Sequence, residues 1–380
     1  MLALVALAQF LGMTLWFSAT AAAPRLASDL ALGDVATAWL TIAVQAGFVA
    51  GTLVSAALNL PDVVNARRLF AAGCAAGAAA NAAVTLAGDA SAVLALRFAT
   101  GVALACVYPP GMKIAAGWFE RRRGMALGVI VGALSLGSAF PHLLAWSATT
   151  VSWQTLMLAS SALAVAGGAL VLGAVADGPY VTASARFDPR ALGAIVRNRG
   201  ARLATLGYLG HMWELYAMWA WIAVFAGAWL AAAGGSAQGG SLVAFIAIAS
   251  GAIGCVAAGV WADRWGRARI AGASMWTSGA CAVLAGVLFG GPLWVLLLLA
   301  VVWGFSVVAD SAQFSALIAD HSPRTHVGTA FTLQTCAGFL LTMVTIQLLP
   351  LVAGAYGWQW AFLLLVPGPF LGALAMKRLT

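Results

Sequence analysis

Gly259-Val260-Trp261-Ala262-Asp263-Arg264-Trp265-Gly266-Arg267 is a short charged interruption between two apolar stretches, roughly 241–262 and 268–289. Each stretch has the length of about 20 residues that a helix needs to cross a hydrocarbon core. The same pattern recurs along the chain, at 2–23, 37–60, 67–88, 91–117, 124–147, 153–176, 200–230, 292–318, 326–350 and 356–376. Of the 380 residues, 63% are hydrophobic and 8% charged, whereas a water-soluble domain carries about a quarter charged residues. The expectation is an all-α integral membrane protein with twelve transmembrane helices. Ala21-Ala22-Ala23 resembles a signal-cleavage site. No positive charge precedes the first apolar run, however, and eleven more follow, so it is read as the first span.

Placing the N-terminus inside puts all 19 Lys and Arg except Arg25, Arg97 and Lys113 on one side. The positive-inside rule then makes that side and both termini cytoplasmic, in a cell membrane, and accounts for the net charge of +8 without nucleic acid. The polar stretch 177–199 separates residues 1–176 from 200–380, and the two parts repeat. Trp153-Gln154 and Trp358-Gln359 lie 205 residues apart, Gly124-Met125-Ala126 and Gly328-Thr329-Ala330 lie 204 apart, and Asp62 and Asp263 lie 201 apart. A duplicated unit of six helices is expected, in two pseudo-symmetric bundles. Transporters built this way bind their solute near the membrane midplane and rock the halves around it.

The opening stretch matches G-x-x-x-D-R-x-G-R, and the chain resembles the major facilitator superfamily of secondary transporters. The resemblance implies a gating role for Gly259, Asp263, Arg264, Gly266 and Arg267, and for Asp62 in a first-half copy where Asn65-Ala66 replaces Gly-Arg. Arg97-Phe98-Ala99-Thr100-Gly101 is similar to a second family pattern, whose arginine is tied to proton transfer in proton-coupled members. The region of Tyr108-Pro109-Pro110 and Trp118-Phe119 is loosely similar to anion-carrying branches. Nitrate is disfavoured, because the second and eighth spans lack the arginines that nitrate porters use there. The resemblance also implies that the first, fourth, seventh and tenth spans line a central cavity, and that the protein works as a monomer.

Charge inside a bilayer costs about 2.5–3.5 kcal/mol on insertion scales, so it needs a partner or a purpose. On the seventh span, His211, Glu214, Met218 and Trp221 share one helical face. Glu214 and His211 are side chains able to hold and release a proton. On the tenth span, Trp303, Ser306, Asp310, Gln313 and Phe314 share a face, and Asp310 supplies a second carboxyl. Proton coupling is assigned to Glu214, Asp310 and His211. In the fourth span, Arg97 faces with Tyr108 and either binds an anion or ties backbone carbonyls; Lys113 lies beyond the Pro109-Pro110 break. The first span offers Gln9, Met13, Trp16 and Thr20 on one face. The candidate solute site is Gln9, Trp16, Arg97, Tyr108, Lys113, His211, Trp221, Gln313 and Phe314. His142, beside Pro141, is read as structural.

A nucleotide-driven pump needs a Gly-Lys pair in a phosphate loop, and neither Lys113 nor Lys377 follows glycine. No nucleophile triad, metal-ligand cluster or cofactor motif emerges, so neither an enzyme nor a cofactor is expected, and the five cysteines are read as small apolar residues. The leading reading is proton-coupled transport of a small organic or inorganic anion. Proton-antiport efflux of lipophilic compounds is the alternative within transport, and a transporter-like membrane sensor the alternative outside it.

Overall fold

The computed structural model describes residues 1–119, 123–147, 152–180, 188, 193, 197–322 and 327–380, without the side chains of Asp34, Pro61, Asp62 and Arg123. Most of the expected central loop 177–199 lies outside the described residues, as does the side chain of Asp62. The described residues contain twelve helices long and apolar enough to cross a membrane. They are α1 (Leu2–Asp29), α2 (Val35–Ala57), α3 (Ala66–Leu86), α4 (Ala90–Ala116), α5 (Gly124–Ser147), α6 (Trp153–Ala174), α7 (Arg199–Ala232), α8 (Ala237–Trp265), α9 (Arg267–Val287), α10 (Leu293–His321), α11 (Val327–Tyr356) and α12 (Trp358–Lys377).

Local chemistry sets several starts. The side chains of Asn65, Asp89, Ser152 and Asn198 accept from the first free backbone N–H groups of α3, α4, α6 and α7, as N-caps do. Between α8 and α9, Gly266 has φ +91°, a backbone conformation that permits the abrupt reversal there. The eleventh helix runs past Pro350 to Tyr356 rather than stopping at 350 as the sequence suggested. Packed neighbours in a membrane tolerate such a proline by re-satisfying the freed carbonyl.

Among the described residues, four spans are interrupted. Regular α-helical hydrogen bonding lapses at Thr14–Phe17 in α1, at Ala105–Val107 in α4, at Asp310 in α10 and at Phe362–Val366 in α12, whereas α7 is continuous over its 34 residues. The two halves meet mainly where α5 packs on α8 and α2 on α11, with α10 also touching α5. Helix association in lipid lacks a hydrophobic drive and depends on close approach through small residues. Gly101 is such a place: a Cβ there would lie 1.9 Å from the Val44 carbonyl oxygen, so α2 and α4 cross at a separation only glycine allows.

Candidate functional site

A cavity of about 930 Å³ opens between the halves, at the end of the molecule opposite the α8–α9 turn. It is lined from α1, α2, α5–α8, α11 and α12, by Thr20, Arg25, Thr41, His142, Trp153, Trp221 and Trp358 among others. None of its described lining residues is Asp or Glu. At the other end, α5 and α8 lie against each other: a Cβ on Gly128 would stand 2.9 Å from the Cys255 carbonyl oxygen. The molecule is therefore open at one end and packed shut at the end carrying the charged turn.

Below the cavity lies a layer of aromatic rings. Trp16 packs against Phe48, Tyr216 and Phe339 with centroids 5.0, 5.6 and 5.6 Å away. Phe17 stacks on Tyr216 and meets Trp219 edge-on. These rings come from α1 and α2 in one half and from α7 and α11 in the other, so the layer bridges the halves. Phe17 also contacts His142 of the cavity lining. Tyr216, Trp219 and Phe339 face a second, small pocket of about 50 Å³, lined also by Tyr108, Tyr208, His211, Ser311 and Gln334.

Beneath the layer, His211 Nδ1 lies 2.8 Å from Asp310 Oδ1, and Nε2 lies 2.8 Å from Ser311 Oγ. Asp310 occupies the break in α10, where its side chain reaches α7. Glu214, one turn along α7, accepts from Trp303 Nε1 at 2.7 Å and from Ser278 Oγ at 2.8 Å. Both acids are buried. Each has its own partners: Trp303 and Ser278 for Glu214, His211 for Asp310. Glu214 points into the contact between α7, α9 and α10, away from the open cavity.

Arg97 is fully buried among acceptors. It donates to the backbone carbonyls of Leu15, Trp16 and Leu40, and to Ser18 Oγ and Asn81 Oδ1, at 2.6–3.3 Å. The first two carbonyls belong to the break in α1, whose backbone acceptors lack helical partners; the guanidinium supplies the donors. Of the two roles the sequence left open, tying carbonyls is the one this geometry occupies.

The other expected solute-site residues fall in different places. Trp221 lines the open cavity while its indole N–H donates to Ile346 O. Trp16 belongs to the aromatic layer, and Tyr108 and His211 line the inner pocket. Phe314 packs on His211 and Tyr208. Gln313 and Gln9 are buried and line neither space, and Lys113 is half-buried on the α4 segment after Pro109-Pro110. Of the expected gating residues, Asp263 Oδ1 sits 3.5 Å from where a Gly124 Cβ would be, beside the start of α5. Gly259 approaches the Gly124 carbonyl. Arg267 pairs with Asp320 at the end of α10, and Arg264 lies 5.9 Å over the Trp265 ring. Sequence reasoning passed over Phe17, Phe48, Tyr216, Trp219 and Phe339, which look like bulk apolar residues in any span. It also passed over Asn81, Ser18 and Ser278, whose signal was simply a polar side chain in an apolar run.

Twelve helices long and apolar enough to cross a bilayer, with a cavity between the halves closed at one end, describe a multi-pass membrane protein. The family model of the Major Facilitator Superfamily matches residues 5–236 and 215–379. The chain belongs to the Major Facilitator Superfamily. It is also similar to proteins named hexuronate transporter from Escherichia coli K12 and O157:H7, each 29% identical over 165 residues. That match covers 43% of this chain and 38% of the relatives' own length.

Proposed function

We propose that the protein carries a small organic anion across the cell membrane by alternating access, with proton movement through His211, Asp310 and Glu214 driving the cycle. The observation that carries the anion is the cavity lining: it holds Arg25 and, among its described residues, no acid. The hexuronate transporters to which the chain is similar move a carboxylate-bearing sugar by name, which agrees with that lining. The positive-inside arrangement puts the charged α8–α9 turn in the cytoplasm. The open cavity then faces outward, and residues 1–176 and 200–380 are the rocking bodies, working as a monomer.

Protons enter the reading through chemistry and position. His211 Nδ1 and Asp310 Oδ1 stand 2.8 Å apart, and they do so at a break in α10 where a small shift changes the helix ends. In the outward-open form the aromatic layer stands between these groups and the cavity, so solute and proton sites are stacked rather than shared.

Reconstituted vesicles with an imposed pH gradient test this. Uptake of labelled glucuronate that collapses with the gradient supports the reading. Binding without flux would instead indicate a sensor. A second reading, proton-driven efflux of lipophilic compounds, is favoured by the tryptophans Trp146, Trp153, Trp221 and Trp358 around the cavity. Gradient-dependent movement of a lipophilic cation, with none of glucuronate, would select it.

A further inference from the structure

We infer that His142 contacts the solute directly and that the solute it selects is a hydroxylated carboxylate, an inference that rests on the anion-transport reading above. His142 stands in α5, one residue after Pro141, and is 1% exposed. It lines the 930 Å³ cavity, yet neither ring nitrogen has a hydrogen-bond partner. Buried polar groups in folded proteins are nearly all paired, and an unpaired one costs about 1–3 kcal/mol. Of the buried side-chain groups left unpaired among the described residues, His142 is the one that lines the open cavity; the others, such as Gln9 and Gln45, do not. An orphaned imidazole at the floor of a solute cavity is a recognition group awaiting its ligand.

The ligand's chemistry follows from the donors and acceptors on hand. A neutral imidazole presents one N–H and one acceptor nitrogen. A bare carboxylate only accepts and satisfies the N–H alone; the two ring nitrogens point apart, so a solute whose hydroxyl lies several ångströms from its carboxylate can satisfy both. On the same lining, Thr20 Oγ1 and Thr41 Oγ1 are 2.7 Å apart, and whichever donates, the other keeps an O–H for the solute. Arg25 on the same lining supplies positive charge for the carboxylate. A lipophilic cation uses none of these groups.

The test measures gluconate, glucuronate and hexanoate binding to the detergent-purified full chain by tryptophan fluorescence and thermal shift. Trp221 and Trp358 of the cavity lining act as reporters. The wild-type protein should bind the two hydroxylated acids about tenfold tighter than hexanoate, the size of one lost buried hydrogen bond. His142→Leu should erase that difference without lowering the ligand-free melting temperature, because it replaces an unpaired polar group by an apolar one. His142→Gln, which keeps a donor and an acceptor, should stay within about threefold of wild type. Should His142→Leu not fold, Thr41→Val takes its place and should weaken gluconate several-fold with hexanoate unchanged.

Unchanged discrimination in the folded variant overturns the inference, as does a lowered ligand-free melting temperature with discrimination intact, which would mark His142 as structural. Equal binding of all three acids by wild type removes hydroxyl selection but leaves the anion reading standing. Binding of tetraphenylphosphonium with none of the acids removes both.

Discussion

The indole N–H of Trp303 in α10 donates to Glu214 Oε1 in α7 at 2.7 Å, with Ser278 Oγ completing the carboxyl's surroundings from α9. This contact joins three helices of one half through a single acid. Membrane hydrogen bonds contribute about 0.6 kcal/mol on average and about 1.7 at most. Trp303→Phe should therefore lower stability by about 0.5–2 kcal/mol, read as detergent unfolding. Glu214→Gln, which keeps an acceptor, should unfold nearly as wild type while losing gradient-driven flux and retaining solute binding. Flux preserved in Glu214→Gln would remove Glu214 from proton coupling.

His211 and Asp310 form the second buried contact. Removing one partner of a buried pair strands the other at a cost of about 3–5 kcal/mol. His211→Ala should be destabilising by that order, and Asp310→Asn in the same background should recover much of the loss. Additive single effects in this double-mutant cycle would show that the contact carries no coupling.

Arg97 holds the break in α1 by its carbonyls. Arg97→Gln should lower the melting temperature strongly, since several buried acceptors lose donors at about 1–3 kcal/mol each. The fraction that folds should bind solute with affinity close to wild type. A stable Arg97→Gln that fails to bind anions would return Arg97 to the solute site.

Gly101 allows α2 and α4 to touch backbone to backbone. Overpacking costs about 1–3 kcal/mol or more, so Gly101→Val should reduce stability and expression, measured by fluorescence-detected size exclusion. The same change at Gly354, where a Cβ would meet nothing within 4 Å, should be tolerated.

Asp177, just past α6, is raised by burial, but hydrogen bonds from Arg67 and Asn65 and the Arg67 charge together outweigh that and hold it below the ordinary carboxylate range. A depressed folded value means that its contribution is complete above the unfolded pKa of about 3.9 and is lost as pH falls through the folded one. The pair is partly exposed, so the effect is at most about 1 kcal/mol. Asp177→Asn should be slightly less stable than wild type at neutral pH, with the gap closing only below about pH 4. A gap that persists at pH 3 would point to packing rather than charge.

Much of the architecture was readable along the chain, because a bilayer imposes a one-dimensional rule: every span must be long, apolar and helical. The twelve crossings, the repeat offsets and the Gly259–Arg267 signature follow from that rule and from local turn chemistry. Glu214, His211 and Asp310 stood out along the chain as well, since an ionisable group in an apolar run is conspicuous wherever it points. Which way each one points was not readable. Helical periodicity grouped Glu214 with His211, but α9 and α10 offered Glu214 donors, and the break in α10 offered His211 a carboxylate. Arg97 shows the same limit, because its acceptors are carbonyls exposed by an interruption in another helix. The aromatic layer and the unpaired His142 are likewise properties of assembly: ring stacking across two halves and the absence of a partner exist only once distant spans are brought together.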